Sequence, residues 1–437
     1  LRYGTSEIAM PESHKQTENF MRQALALAER GIGLASPNPC VGALLVSEAG
    51  EPLGSGFYTY DGLKHAEILA LDDAAKNGKS AKGSTLYINL EPCCHHGRTG
   101  PCADALIAAG IRRIVAAMPD PNPLVFGKGF EKLRAAGIEV IEGVLRAEAE
   151  KRNESFAKYI REHIPLVTLK AAMTLDGKIA PPPGESHNPT ALGAGGATGG
   201  WITSDVARAH VQELRHASDA IMVGVGTIIA DDPLLTDRTG LPRRRPLLRA
   251  IMDSRLRLPL ESRVVKTAAN DVIVLCAFAE EKKKRALEAR GVRVQQVALG
   301  ASPAATAEDS PKVRRMPVRR RTGTGKPIVN TASLLEGRPD LHKVMQCLGE
   351  LEITSLLIEG GALVNWTALS ARVVDKVFLY YAPKILGGAG SVPFATGPGF
   401  HLTNAAYVRK VSIHHFGEDF AVEGYLRDPY GRGFTSN

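Results

Sequence analysis

Apolar residues in this chain recur in two rhythms. Phe20, Met21, Ala24 and Ala28 fall on one side of a helical repeat, predicting a helix over 17–30 capped by Thr17 and ended by Gly31. Short apolar runs bounded by turn residues predict strands at 41–46, after the Pro37-Asn38-Pro39 turn, and at 85–90, 111–116 and 138–141. Between them, helices are expected at 65–76 with Ile68, Leu69 and Ala75 inward, at 102–109 with Gly110 as its stop, from about 128, and at 145–159. Strands and helices alternating over short links make a layered α/β domain.

A second series follows Pro165. Strands are predicted at 166–171, 219–225, 248–252, 272–276, 292–297, 353–358 and 376–381, separated by helices such as 204–216, 340–351 and 362–369. The expected organisation is a loose tail over 1–14, one α/β domain over 15–161 and another over 162–437. Two inserts interrupt the second domain: 187–200, rich in Gly, Ala and Pro, and the basic 301–327, both read as surface loops.

At 437 residues the chain exceeds what one hydrophobic core usually serves, which agrees with two domains. No apolar run reaches about 18 residues, so no membrane span is expected. The first residues lack the basic start and apolar core of a signal peptide. Six cysteines are too few for a disulfide framework, and Cys93, Cys94 and Cys102 crowd together, pointing to a reduced, cytoplasmic setting with thiols free for a metal. The net charge of +8 draws largely on 301–327, where seven basic residues face only Glu308 and Asp309. That concentration, without an aromatic-rich basic face, argues against nucleic acid as a partner.

The chemistry gathers between His65 and Cys102. His65-Ala66-Glu67 places a carboxylate two residues from a possible metal ligand, and Pro92-Cys93 follows a predicted strand. Residues two apart share no face in mid-helix, so the pair is expected in the first turn. This is the H-x-E with Pro-Cys of zinc nucleobase deaminases, in which zinc lowers the pKa of a water and the glutamate shuttles its proton. The usual spacing has two residues between cysteines, whereas eight separate Cys93 from Cys102, and Cys94, His95 and His96 lie between as further candidates. On spacing alone, a structural four-ligand zinc and a deaminase acting on a nucleic-acid base both stay open.

With Leu90-Glu91-Pro92-Cys93-Cys94-His95-His96-Gly97-Arg98-Thr99-Gly100-Pro101-Cys102 and Asp120-Pro121-Asn122-Pro123, this half resembles the deaminase half of the bifunctional riboflavin-biosynthesis family RibD. That family carries a longer Cys-to-Cys loop. The resemblance implies His65, Cys93 and Cys102 as zinc ligands, Glu67 as proton shuttle, and substrate contacts at Asn38, His95, Arg98, Asp120 and Asn122; Cys94 falls where the family commonly has Ser. Tyr58 and Gly100 depart from its usual His and Pro.

The second half shows no G-x-G-x-x-G, since Gly224-Val225-Gly226-Thr227 lacks the third glycine. Leu169-Lys170, Leu175-Asp176-Gly177-Lys178, Trp201-Ile202-Thr203-Ser204, Ala230-Asp231-Asp232-Pro233-Leu234-Leu235-Thr236 and Ile358-Glu359-Gly360-Gly361 are similar to the family's reductase half, with a fold like dihydrofolate reductase. The resemblance implies NADPH against Ala172, Trp201, Thr227, Asp231, Ser254 and Gly360-Gly361, and a sugar phosphate at Ser186, Arg215, Leu235, Arg238 and Glu359. Ser186 and Trp201, two apart in the family, are separated here by the 187–200 insert. The expected protein is a two-domain α/β enzyme, cytidine-deaminase-like then dihydrofolate-reductase-like, using Zn2+ and NADPH. Its expected partners are small pyrimidine ribosyl phosphates and copies of itself in a homo-oligomer, without nucleic acid or membrane.

Overall fold

The protein is described here as a computed structural model covering residues 12–97, 100–182, 201–300 and 337–434. Arg98, Ser186 and the inserts 187–200 and 301–327 lie outside the described residues.

The first domain runs α1 (Glu12–Glu29), β1 (Gly42–Val46), β2 (Pro52–Phe57), α2 (Ala66–Lys76), β3 (Thr85–Ile88), α3 (Cys102–Ala108), β4 (Arg113–Ala116), α4 (Lys128–Ala135), β5 (Glu139–Glu142), α5 (Arg146–Arg152) and α6 (Glu154–Glu162). Its sheet has the order β2-β1-β3-β4-β5, with β1 antiparallel to both neighbours and β3, β4 and β5 parallel. Helix α1 begins before Thr17, which lies inside the helix and is therefore no cap.

The strand absent from the sequence reading is β2. Pro-Leu-Gly-Ser-Gly-Phe is a poor strand by propensity, and its glycines have another task. A Cβ at Gly54 would sit 2.3 Å from the Ala70 carbonyl oxygen, and one at Gly56 2.5 Å from that of Ala66. Helix α2 thus lies directly on the strand backbone. Its buried side is Ala66, Glu67, Ala70 and Ala74, not Ile68, Leu69 and Ala75 as expected, because only small residues allow so close an approach.

The expected helix over 145–159 is two helices, broken at Asn153 (φ −110°, ψ 17°). The break has a use: buried Asn153 accepts from the Cys40 amide at 2.9 Å and donates to its carbonyl at 3.2 Å. This pins α5 and α6 to the chain entering β1.

The second domain comprises β6 (Leu166–Thr174), β7 (Lys178–Ala180), α7 (Asp205–His216), β8 (Ala220–Gly224), α8 (Val225–Asp231), β9 (Leu248–Met252), α9 (Arg263–Lys266), β10 (Val272–Cys276), α10 (Glu281–Glu288), β11 (Val292–Gln296), α11 (Leu341–Glu350), β12 (Ser355–Ile358), α12 (Ala362–Ser370), β13 (Lys376–Ala382), β14 (Val392–Pro393), β15 (Arg409–Phe416) and β16 (Asp419–Tyr425). Nine strands form one sheet in the order β11-β10-β9-β8-β12-β6-β13-β16-β15, and β7 pairs with β14 apart from it. From β11 to β13 the strands are parallel; β16 and β15 close the edge antiparallel. The β15–β16 hairpin is a second strand pair the periodicity does not reveal, since β15 lies exposed on the edge and carries mostly polar residues.

The division expected at 161/162 falls at the last residue of α6. This helix faces the sheet of the second domain with charge: Lys158 Nζ lies 2.5 Å from Asp375 Oδ2, both side chains 2% exposed, and Lys376 bridges Glu154 and Glu423 at 2.7 and 2.8 Å. A second contact joins the 33–36 turn to Arg244, whose guanidinium lies 3.6 Å from the Tyr60 ring centroid and donates to the Ser36 carbonyl.

Candidate active sites

His65 is the N-cap of α2, in extended backbone, and its carbonyl accepts the first helical bond from Leu69. Glu67 then falls in the first turn, 3% exposed, on the side that packs onto β2. Cys102 opens α3, and its amide donates to Cys93 Sγ at 3.3 Å, while the Ala103 amide binds the Cys93 carbonyl. Strand β3 and two helix starts therefore converge on one point. His65 Nδ1 is 3.5 Å from Cys93 Sγ and 3.2 Å from Cys102 Sγ, and the three donor atoms all lie within 4.8 Å of one another.

Those separations suit a tetrahedral zinc, whose bond lengths place neighbouring nitrogen and sulfur ligands about 3.5 Å apart. The two thiols titrate in opposite directions: their contact lowers Cys93 and, with burial, raises Cys102. Hydrogen bonds from Cys102 and His65 hold the Cys93 thiol down at about 4, in its thiolate form, and the bond to Cys93 raises His65. Burial pushes Glu67 up to about 7, the range where a carboxyl both takes and gives a proton. Among the described residues Cys94 does not join the group. A shallow cavity of about 430 Å³ opens beside His65, lined by Lys64, Ile68, His96, Pro101 and Asp104.

Around the triad, Asn38 Nδ2 donates to the Tyr58 hydroxyl at 2.7 Å, and the Tyr58 ring meets His65 edge-on. Buried Asp120 accepts from the Asn122 amide, and burial raises its carboxyl to about 7; Asn122 in turn caps the Leu124 amide. His95 is exposed. Glu91 is not a ligand but a fastener: Oε2 accepts from the amides of Asp120 and Gly127, and Oε1 from those of Gly129 and Phe130. Gly129 must lack a side chain here, since a Cβ would lie 2.1 Å from the Pro92 carbonyl oxygen.

In the second domain, Ala172, Trp201, Arg215, Thr227, Asp231, Leu235, Arg238, Ser254, Glu359, Gly360 and Gly361 all line one cavity of about 1820 Å³. It follows the C-terminal ends of the parallel strands, where open α/β sheets bind ligands. Thr227 Oγ1 accepts from the Gly361 amide and fixes the turn before α12. A Cβ at Gly226 would meet nothing, leaving the backbone open to a bulky group. The Leu235 side chain is part of the core, so only its backbone, at φ 56°, faces a ligand. Trp201 is half exposed beneath the Arg208 guanidinium.

Glu359 and Arg215 form a bidentate pair at 2.6 and 2.9 Å. Burial opposes the Glu359 charge, but Lys170 and Arg215 outweigh it and hold the carboxyl at about 2. Lys170, 3.8 Å from Glu359, is the functional candidate to which no role was given. Its signal was present: a single lysine inside the apolar run of 166–171. Arg238 is exposed at the cavity edge, its amide bound to Gln212.

Comparison with known proteins agrees with both halves. Residues 14–118 match the cytidine and deoxycytidylate deaminase zinc-binding region, and residues 165–422 match the RibD C-terminal domain. The chain is 38% identical over 408 residues to the riboflavin biosynthesis protein RibD of Escherichia coli (strain K12), covering 92% of this chain and 98% of that protein. It is 37% identical over 413 residues to that of Actinobacillus pleuropneumoniae, covering 94% and 96%. A solved deaminase/reductase from Thermotoga maritima superposes with a TM-score of 0.73 at 33% identity, covering 95% of this chain and 99% of that one. Acinetobacter baumannii RibD gives 0.71 at 30% identity, over 94% and 99%. The chain belongs to the RibD family, two-domain riboflavin-biosynthesis enzymes that join a zinc-binding deaminase half to an NADPH-dependent reductase half.

Proposed function

We propose that the first domain, taken as 15–161, deaminates a diaminohydroxyphosphoribosylaminopyrimidine, and that the second, 162–437, reduces the ribosyl chain of the resulting 5-amino-6-(5-phosphoribosylamino)uracil to ribityl. The observation that carries this is a His65, Cys93 and Cys102 donor set within 4.8 Å, with buried Glu67 two residues from its histidine. His65, Cys93 and Cys102 would hold a zinc ion, which when bound would supply a water acidified to near neutrality. Glu67 takes that water's proton and returns it to the departing amine, so water is consumed and ammonia released. Asn38, His95, Arg98, Asp120 and Asn122 hold the pyrimidine and its ribose phosphate.

In the reductase half, NADPH supplies the hydride. Ala172, Trp201, Thr227, Asp231, Ser254 and the Gly360-Gly361 turn hold the dinucleotide, while Ser186, Arg215, Leu235, Arg238 and Glu359 hold the sugar phosphate. Lys170, between Ala172 and Glu359, offers an ammonium to the sugar oxygens. Arg215→Lys keeps the charge but loses the fork that grips Glu359. It is expected to lower the reductase kcat/KM about tenfold to a hundredfold, the worth of a charge-assisted hydrogen bond, and leave ammonia release unchanged. An unaltered reductase would remove Arg215 from the site.

Cys102→Ser should reduce bound zinc after desalting, measured by elemental analysis, while NADPH oxidation with deaminated substrate continues. Full zinc retention in that variant would argue against Cys102 as a ligand. No helix among the described residues is long and apolar enough to cross a membrane. The reading proposed is a cytoplasmic homo-oligomer that takes small pyrimidine phosphates and no nucleic acid. The test of the whole is one incubation of the pyrimidine substrate with and without NADPH, followed by product mass: deamination alone without NADPH, deamination and reduction with it.

A further inference from the structure

Between Pro242 and Pro246 the second domain carries Arg243-Arg244-Arg245, and each side chain takes its own direction. Arg243 turns inward, its guanidinium donating to the Arg215, His216 and Ser218 carbonyls at the end of α7. Arg245 donates to the Leu351 and Glu352 carbonyls after α11 and to Ser36 Oγ at 3.3 Å. Arg244 reaches two separate segments of the first domain. On one, its amide donates to the Gly33 carbonyl at 2.8 Å and its Nη1 to the Ser36 carbonyl at 3.0 Å. On the other, its guanidinium covers the Tyr60 ring at 3.6 Å from the centroid, and Nε lies 3.3 Å from Asp61 Oδ1. The first turn is shaped for so close an approach, since a Cβ at Gly33 (φ 74°) would lie 3.2 Å from the Pro242 carbonyl oxygen.

Those two segments carry one wall of the candidate deaminase site. Asn38 lies two residues beyond Ser36, and Tyr58 two residues before Tyr60. The Asn38 side chain donates to the Tyr58 hydroxyl at 2.7 Å, and the Tyr58 ring, 4% exposed, meets the His65 ring edge-on at 5.5 Å. Backbone bonds join the segments at two points, from the Tyr60 amide to the Leu34 carbonyl and from the Tyr58 amide to the Val41 carbonyl. Between those points the chain bends through Ser36 and Asn38, and Arg244 grips the bend by its carbonyl while holding the Tyr60 ring opposite. One arginine can do both, because a guanidinium stacked on a ring keeps its N–H groups in its own plane, free to donate. The Asp61 contact, 74% exposed on the acid side, adds little.

We infer that Arg244 is a positioning residue of the deaminase site supplied by the second domain: it clips the 33–38 and 58–61 segments together so that Asn38 and Tyr58 stand in register beside His65 for the pyrimidine. The inference rests on the deaminase reading proposed above and adds to it a residue from the other half of the chain. Its effect falls on substrate binding rather than on chemistry, because His65, Glu67, Cys93 and Cys102 are placed by the starts of α2 and α3. Asn38 and Tyr58 depend on the clip; the donor set does not.

The test is the kinetics of ammonia release from diaminohydroxyphosphoribosylaminopyrimidine by the full-length, zinc-loaded protein. Arg244→Gln should raise KM about tenfold while kcat stays within about twofold, the signature of lost uniform binding. Zinc content, and NADPH oxidation with deaminated substrate, should match the parent. Tyr60→Leu removes the other jaw of the clip and should raise KM to a similar degree, and the double variant should be no worse than either single, since both break one interaction. Arg432→Gln is the control for the domain interface: it removes a different cross-domain pair, with Glu150 at 2.9 and 2.8 Å, and should leave KM at the parental value. A parental KM in Arg244→Gln, or an equal rise in Arg432→Gln, overturns the inference and leaves the deaminase reading standing. A parent that releases no ammonia overturns both.

Discussion

Glu67→Gln should release ammonia about a hundredfold to ten-thousandfold more slowly than the parent, the usual worth of a positioned acid–base group. The amide matches the carboxylate in size and fits the same buried slot under α2, so His65, Cys93 and Cys102 stay in register. What it lacks is a group that can take up a proton and give it back near neutral pH. Three measurements separate loss of chemistry from loss of structure: zinc content unchanged by elemental analysis, the melting transition unchanged, and NADPH oxidation with deaminated substrate unchanged. Near-normal ammonia release would remove Glu67 as the shuttle.

The second large effect is on stability. Asp375→Ala strands the Lys158 ammonium at 2% exposure and removes the acceptor of the Val167 amide, at an expected cost of about 3–5 kcal/mol. The pair is not itself a source of stability. Burial lowers Lys158 and raises Asp375 despite their contact, so each charged form is disfavoured relative to water. It follows that Lys158→Met with Asp375→Asn, which keeps an acceptor for Val167, should recover most of the loss. Urea denaturation of both singles and the double measures the coupling; additive effects would show that the two groups do not depend on one another.

The raised Asp375 carboxyl fixes the sign of a pH effect on the parent. A carboxyl held above its ordinary value favours the folded state while protonated, so this group adds stability at low pH and loses it as pH rises through its folded value. Lys158, held below its ordinary value, acts in the same unfavourable sense across neutral pH, being charged in the unfolded chain more readily than in the fold.

The sequence made the parallel core of the sheet legible, because β10 is a continuous apolar run buried on both faces and its ends match the run at 272–276, while β9 matches 248–252 although buried Arg249 interrupts it. It was far less informative where tertiary packing overrides local preference. The glycines of β2 exist to admit a helix, and the polar β15 is a strand only because β16 offers it an edge. The same holds for α2, whose inward alanines read as neutral beside Ile68 and Leu69. At the deaminase site, His65 and Glu67 were readable from their spacing alone, whereas choosing Cys102 over Cys94 needed the resemblance, since an eight-residue loop has no inherent geometry. Lys170 is visible in the sequence, in the Leu169-Lys170 pair and as the lone lysine of the apolar run 166–171, but neither gives it a role; its approach to Glu359 does.

A carboxylate offers about four lone-pair sites, and those of Glu91 face four backbone amides spread over residues 120–130. Every acceptor position is filled, so this carboxylate has no vacancy for a substrate proton. Two buried glutamates flank His65 and Cys93, and saturation distinguishes them: one is a knot that ties the Asp120 loop to the end of β3, the other is left with capacity to exchange. The division of labour between them is written in the number of amides each one meets.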